Sequence, residues 1–302
     1  MSVLSTNTQK YQTQHNKDQG VNETESGPIN YIKRIWEYRY FWMSLVRADL
    51  KRRYRRSILG MGWSLISPVA MTAVLCVVYR KILNVDLVTF APYLLAGLAT
   101  WGFLNSVVVA ATTCFRFAEA YIRQEPAPMM IYPLRAVLGA AFHAGISLSL
   151  AVVVASIASF FAEPEQLRGP LSLPFLPSFI AGLLILVLFC LAVGSLIAVA
   201  ASYFPDLTHL SEIGMQMLFF LTPVIWPKRL LLQGPEGEAR GYSVYLLNNP
   251  LAAIVDVVRE PILTGDFAEG RAYAIAVGTT FFMWVLVAYV YRRCEHKIIY
   301  TL

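Results

Sequence analysis

Six stretches of this chain come close to the roughly 20 apolar helical residues that cross a hydrocarbon core of about 30 Å. They lie near 62–83, 92–113, 134–161, 175–201, 210–225 and 272–291. A chain that spends most of its length on such runs is a multi-pass helical membrane protein, so the usual residues-per-domain reasoning for soluble chains does not apply. The composition agrees, with 57% hydrophobic and 15% charged residues. The fifth run is the shortest, contains Gln216 and ends in Thr222-Pro223-Val224-Ile225-Trp226-Pro227, where two prolines remove backbone donors.

The net charge of +6 is concentrated at the ends of these runs. Arg47, Lys51, Arg52, Arg53, Arg55 and Arg56 are opposed within their block only by Asp49, and the first apolar run follows without a linker. Each basic residue at an anionic leaflet contributes roughly 1 kcal/mol, so the block belongs on the cytoplasmic face. Arg116, Arg123 and Arg135 flank the second connection, and Arg292, Arg293 and Lys297 follow the last run, whereas 84–91 has no Lys or Arg. Both termini therefore read as cytoplasmic, and 228–271 as facing outward. Clustering of this kind speaks against nucleic acid as a partner. The stretch 1–27 has no apolar core and reads as a disordered cytosolic tail.

Three short segments carry the functional expectations. In 28–60, Ile32, Trp36, Met43, Leu50 and Tyr54 recur at helical spacing, which predicts an amphipathic interfacial helix; a plain membrane anchor would look the same. Between the second and third runs, Phe115, Ala118, Tyr121 and Ile122 share a helical face beside Glu119 and Arg123, until Pro126 and Pro128 stop the helix. This is either an idle connector or a helix that seats in a cytosolic partner. Beyond the fifth run, Asn249-Pro250 opens a helical segment over 251–263, apolar on one side, with Asp256, Arg259 and Glu260. It is too short and too charged to span, which predicts a re-entrant or interfacial helix.

The absences narrow the chemistry. No Gly-x-x-x-x-Gly-Lys-Ser/Thr loop occurs, and runs one to four and six contain no Asp or Glu, where ion-coupled carriers usually keep ionisable groups. His143 lies alone in a run and reads as a hydrogen-bonded packing residue, while His15, His209 and His296 are isolated. Cys76, Cys114, Cys190 and Cys294 have no paired spacing and read as small buried hydrophobes. No nucleophile elbow or Cys/His cluster is present in the sequence and no span holds a close pair of carboxylates, so the chain reads as a transporter subunit with no catalytic residues, metal or cofactor of its own. Uphill transport would draw its energy from a partner.

The segment Leu50-Lys51-Arg52-Arg53-Tyr54-Arg55-Arg56-Ser57-Ile58-Leu59-Gly60-Met61-Gly62-Trp63-Ser64, followed by Pro68, resembles the RY-x-x-S-x-LG-x-x-W-x-x-x-x-P signature of permease subunits of two-component ABC exporters for polysaccharides (O-antigen, capsule, teichoic acid). Phe219-Phe220-Leu221-Thr222-Pro223-Val224-Ile225-Trp226 and Asn249-Pro250 with Arg259 match in the same order. Two departures stand out: the second connection has both Pro126 and Pro128, and Pro205-Asp206 replaces an Arg-Asp step.

The resemblance implies an all-α membrane protein of ABC-2 type with six transmembrane helices, an N-terminal interfacial helix and outward re-entrant gate helices. Its units would be 1–27 (tail), 28–60 (interfacial helix) and 61–302 (membrane domain). It also implies a homodimer in the bacterial inner membrane with two copies of a separate ATPase, which would hold ATP and magnesium, exporting a lipid-linked polysaccharide. The basic block would then contact membrane lipid or a diphosphate linkage, and Phe115, Glu119, Tyr121 and Arg123 the ATPase. Tyr79, Trp101, Phe219, Phe220, Pro223, Trp226 and Arg259 would line or gate the channel, since aromatic faces stack on sugars without demanding one sequence. The competing readings are an ABC-2 permease for drug or lipid efflux and a passive channel or structural subunit.

Overall fold

The computed structural model describes residues 28–55, 60–83, 85–124, 127–162, 167–226 and 248–301. The tail 1–27, Arg56, the segment 227–247 and the side chain of Arg123 lie outside the described residues. The described helices are α1 (Pro28–Glu37), α2 (Arg39–Tyr54), α3 (Trp63–Leu83), α4 (Leu87–Ala111), α5 (Cys114–Gln124), α6 (Ile131–Ser159), α7 (Phe175–Tyr203), α8 (Leu207–Leu221), α9 (Pro250–Thr264) and α10 (Gly270–Thr301). Single 3-10 turns occupy Gly60–Gly62 and Gly169–Leu171.

Helices α3, α4, α6, α7 and α10 are long and apolar enough to cross a membrane. The fifth expected crossing is not: α8 has 15 residues. At 1.5 Å per residue that is about 22 Å, short of a hydrocarbon core. The cause is local. A proline disfavours helical geometry in the residue before it, and Thr222 is extended (φ −102°, ψ 136°) ahead of Pro223.

Helix α4 is the hub, touching α3, α6, α7, α8 and α9. The rest of the chain covers 67% of its apolar window, against 11% for α3. Helix α3 buries one stripe, Thr72, Cys76 and Tyr79, and exposes Ile66, Val69, Val74, Val77 and Ile82. Inside α3, Pro68 cannot donate to the Ser64 carbonyl. The Ser147 hydroxyl on α6 donates to it instead at 2.9 Å. The Ser64 hydroxyl meets His143 Nδ1 at 2.9 Å, so His143 is the hydrogen-bonded residue that its apolar setting predicted.

Two expectations change. The single interfacial helix is two helices, interrupted at Tyr38, with Trp42 Nε1 donating across the break to the Ile35 carbonyl at 3.2 Å. The run 251–263 is not apolar on one side and open on the other. Every residue from Ala252 to Arg259 is buried, because α4, α7 and α10 pack around α9.

Candidate functional site

The chain between α8 and α9 sets the central problem of the molecule. Residues 222–225 are non-helical and buried, so their backbone groups cannot turn to water. A buried unpaired amide costs roughly 1–3 kcal/mol in proteins, and the carbonyls of Thr222, Pro223 and Val224 have each found a donor. Asn249 Nδ2 donates to the Leu221 carbonyl at 3.4 Å and to Thr222 Oγ1 at 3.2 Å. The Val224 N–H closes onto the Thr222 carbonyl at 2.6 Å. Arg259 Nη1 donates to the carbonyls of Pro223 (3.1 Å) and Val224 (3.4 Å). The Tyr93 hydroxyl donates to the Trp226 carbonyl at 2.8 Å.

Arg259 is 1% exposed, the largest of the fully buried side chains. Its Nη2 bonds Asp256 Oδ1 at 2.5 Å, and its guanidinium carbon lies 4.0 Å from the centre of the Tyr93 ring. A carboxylate, two carbonyls and a π face thus replace water around one cation.

Helix α9 is built to deliver these groups. Asn249 caps it by accepting from the Leu251 N–H at 2.9 Å, with Pro250 at the first position. Gly265, at φ +70°, ends it. Pro261 has no N–H, so the Val257 carbonyl lacks its usual helical donor. Helix α7 approaches that carbonyl so closely that a Cβ on Gly182 would lie 2.1 Å from it. Likewise a Cβ on Gly97 of α4 would lie 3.0 Å from the Val224 carbonyl. These two glycines let three backbones meet at the site.

The aromatic residues expected to line a channel divide. Tyr79 and Trp101 are each 7% exposed and pack inside the bundle. Tyr79 meets Trp226 edge-on, with centroids 5.7 Å apart, and Trp101 backs Phe219 at 5.8 Å. Phe220 and Trp226 remain exposed, Phe219 is half-buried, and Pro223 is buried in the turn.

The basic block keeps its charges outside. Arg47, Lys51, Arg52, Arg53 and Arg55 are all exposed. Asp49 does not neutralise them: its carboxylate takes two hydrogen bonds from Arg135 at the start of α6, at 2.5 and 2.6 Å. Beside the block lies an open hollow of about 420 Å³, lined by Leu50, Lys51, Arg55, Met61 and Phe142.

On α5, Phe115 is 3% exposed and packs edge-on against Tyr132, so it cannot reach a partner. Phe117, 74% exposed, stands outside beside Tyr121 at 43%, with Glu119 half-buried. Tyr121 also meets Phe41 of α2 edge-on at 6.1 Å. Burial pushes the Cys114 thiol at the start of α5 up to about 12.

Tyr93, Gly97, Gly182 and Phe117 were missed. A glycine in an apolar helix hints at close approach, but nothing local marks Tyr93 as a partner of residues 130 positions away.

Comparison with known proteins extends this geometry. The chain is 23% identical over 227 residues to the O-antigen export system permease protein RfbA of Myxococcus xanthus, covering 75% of this chain and 82% of the relative. It is 22% identical over 225 residues to RfbA of Klebsiella pneumoniae, covering 73% and 79%. It is 21% identical over 230 residues to the polysialic acid transport protein KpsM of Escherichia coli, covering 75% and 83%. The model of the ABC-2 type transporter family matches residues 40–262, which include the basic block, the turn after α8 and Arg259, and the chain belongs to that family.

Proposed function

We propose that this chain is the membrane subunit of an ATP-driven exporter that moves a lipid-linked polysaccharide out of the cytoplasm. The observation that carries the reading is the turn after α8, where a non-helical segment is buried and held by Asn249, Arg259 and Tyr93. A helix that served only as an anchor would have no need to stop short and bury irregular backbone. Such backbone at depth is tolerated against protein or beside a water-filled cavity. Family membership and the printed names of the relatives, which concern O-antigen and polysialic acid, favour a glycan cargo.

In this reading the turn and α9 seal the outward mouth at rest. Two copies form the channel, with α3 and α8 turned toward the partner copy, since both leave most of their apolar surface uncovered. The basic block lies on the cytoplasmic leaflet of the inner membrane. The hollow lined by Leu50, Met61 and Phe142 offers an apolar floor for a lipid tail, beneath Lys51 and Arg55 as donors to phosphate. Two copies of a separate ATPase, carrying ATP and magnesium, drive the cycle through α5, whose outer face presents Phe117 and Tyr121.

The test is reconstitution. Vesicles holding the chain with its ATPase should translocate a lipid-linked glycan when ATP is supplied, and vesicles with the chain alone should not. ATP-driven flipping of the bare lipid with the glycan-bearing form left behind would move the chain to lipid efflux. Export by the chain alone would end the ATP-driven reading.

A further inference from the structure

We propose that Tyr93 is a positioning residue for the outward seal, holding the turn after α8 through its hydroxyl and the buried cation through its ring. The inference rests on the gate reading above, but its direct claim concerns which group fixes the turn.

The donors at the turn are not equivalent. Asn249 and Arg259 both belong to the α9 segment, so they would hold the turn even if α9 and the turn moved as one piece. Tyr93 belongs to α4, the most covered of the spanning helices. Its hydroxyl donates to the Trp226 carbonyl at 2.8 Å, with the Pro223 carbonyl a second acceptor at 3.4 Å. It thus ties the movable piece to the fixed one.

The same ring lies 4.0 Å from the Arg259 guanidinium carbon and is stacked on Phe90, with centroids 5.9 Å apart. Phe90 in turn meets Tyr79, and Tyr79 meets Trp226. The tyrosine therefore holds two bonds of different strength. A cation–π contact in a dry site keeps Arg259 in place, and a neutral hydrogen bond fastens the end of the turn. A seal that must open during transport needs a fastening of the weaker kind, because breaking the Arg259–Asp256 pair would strand a charge in the membrane.

The two functions separate by substitution. Tyr93→Phe deletes one oxygen, keeps the ring over Arg259 and leaves packing intact. Tyr93→Leu removes the ring as well. Each is placed in a chain whose four native cysteines are replaced by Ala and which carries Ile225→Cys, a position 5% exposed at rest. The probe is a membrane-impermeant thiol reagent applied from outside to the resting assembly with its ATPase, at equal membrane content.

Tyr93→Phe should raise the reaction rate at position 225 at least fivefold. Tyr93→Leu should raise it further and should also lower the amount of inserted protein, through loss of the Arg259 contact. Tyr93→Phe with unchanged reactivity overturns the proposal. So does equal reactivity in the two variants, which would mean that the ring adds nothing to the closure. Failure of the gate reading has a different signature: Tyr93→Phe loosens the turn while ATP-driven export and passive leak of small solutes stay at the level of the unsubstituted chain.

Discussion

Arginine is used in two opposite ways along this chain. Around α2, Arg47, Arg52, Arg53 and Arg55 stand exposed, and the acid among them is drawn away to Arg135. Beyond the 21 residues of α3, about 31 Å of helix, Arg259 is sealed among Asp256, two carbonyls and a tyrosine ring. In the proposed function the exposed group would act by number, each charge adding a similar increment at the leaflet with none bound to one geometry. The buried one acts by position, because its fork must reach a carboxylate and two carbonyls at once. One end of the molecule should therefore tolerate substitution and lose affinity gradually. The other should fail at a single change.

The largest expected effect comes from Asp256→Ala. It leaves the guanidinium buried without its counter-charge, a change worth roughly 3–5 kcal/mol in comparable sites. The folded protein recovered from membranes should fall sharply, as read by detergent-solubilised yield and thermal unfolding. The double substitution Asp256→Leu with Arg259→Met should recover part of that stability, since no charge is then stranded. It should not restore closure, because the Pro223 and Val224 carbonyls lose their donor. If Asp256→Ala behaves like a surface substitution, the contrast between the two ends is wrong.

A second contrast tests the same logic within a single helix. Phe115→Ala should destabilise the fold by about 3–5 kcal/mol, as large core truncations do, because Phe115 is packed against Tyr132. Phe117→Ala should leave stability within about 0.5 kcal/mol and weaken retention of the ATPase on purification. Equal ATPase retention in Phe117→Ala and the unsubstituted chain would remove α5 as the contact.

These cases also mark how far the sequence could be read. The five full spans were legible because lipid leaves the backbone no alternative to an internally bonded helix of fixed length. The early stop of α8 was legible from Pro223. Arg259 was legible as a charged residue of the run after Asn249-Pro250, not as the buried cation it is, held by a carboxylate and two carbonyls. What was not legible depends on what covers a face. Phe115, Phe117 and Tyr121 lie on one short helix, and spacing alone does not say which side the bundle takes. The charged residues of α9 suggested an open face, yet Asp256 satisfies Arg259 internally and α4, α7 and α10 close around the rest. Tyr93 was invisible for the same reason, since its partners lie across the fold.

At the exposed end the expected change in stability is small. Replacing Arg52, Arg53 and Arg55 together with Gln should leave unfolding within about 1 kcal/mol, since exposed charges contribute little to folding. Export should nevertheless fall several-fold, with the protein still inserted, if these residues engage the leaflet and a phosphate-bearing substrate. Unchanged export would reduce the block to an anchor.

The most direct test of the account is whether α9 moves when cargo passes. Single cysteines at Ala252, Ala253, Val255 and Val258, all buried at rest, are introduced into a chain without native cysteines and assembled with the ATPase in vesicles. They are then exposed to an impermeant thiol reagent on the outward side. The account predicts slow reaction at all four positions without ATP. During ATP-driven export the rates should rise, in a helical pattern, and they should fall again when nucleotide is exhausted. Reactivity that is fast at rest, or the same with and without export, would contradict a gate built on Arg259 and leave a static plug.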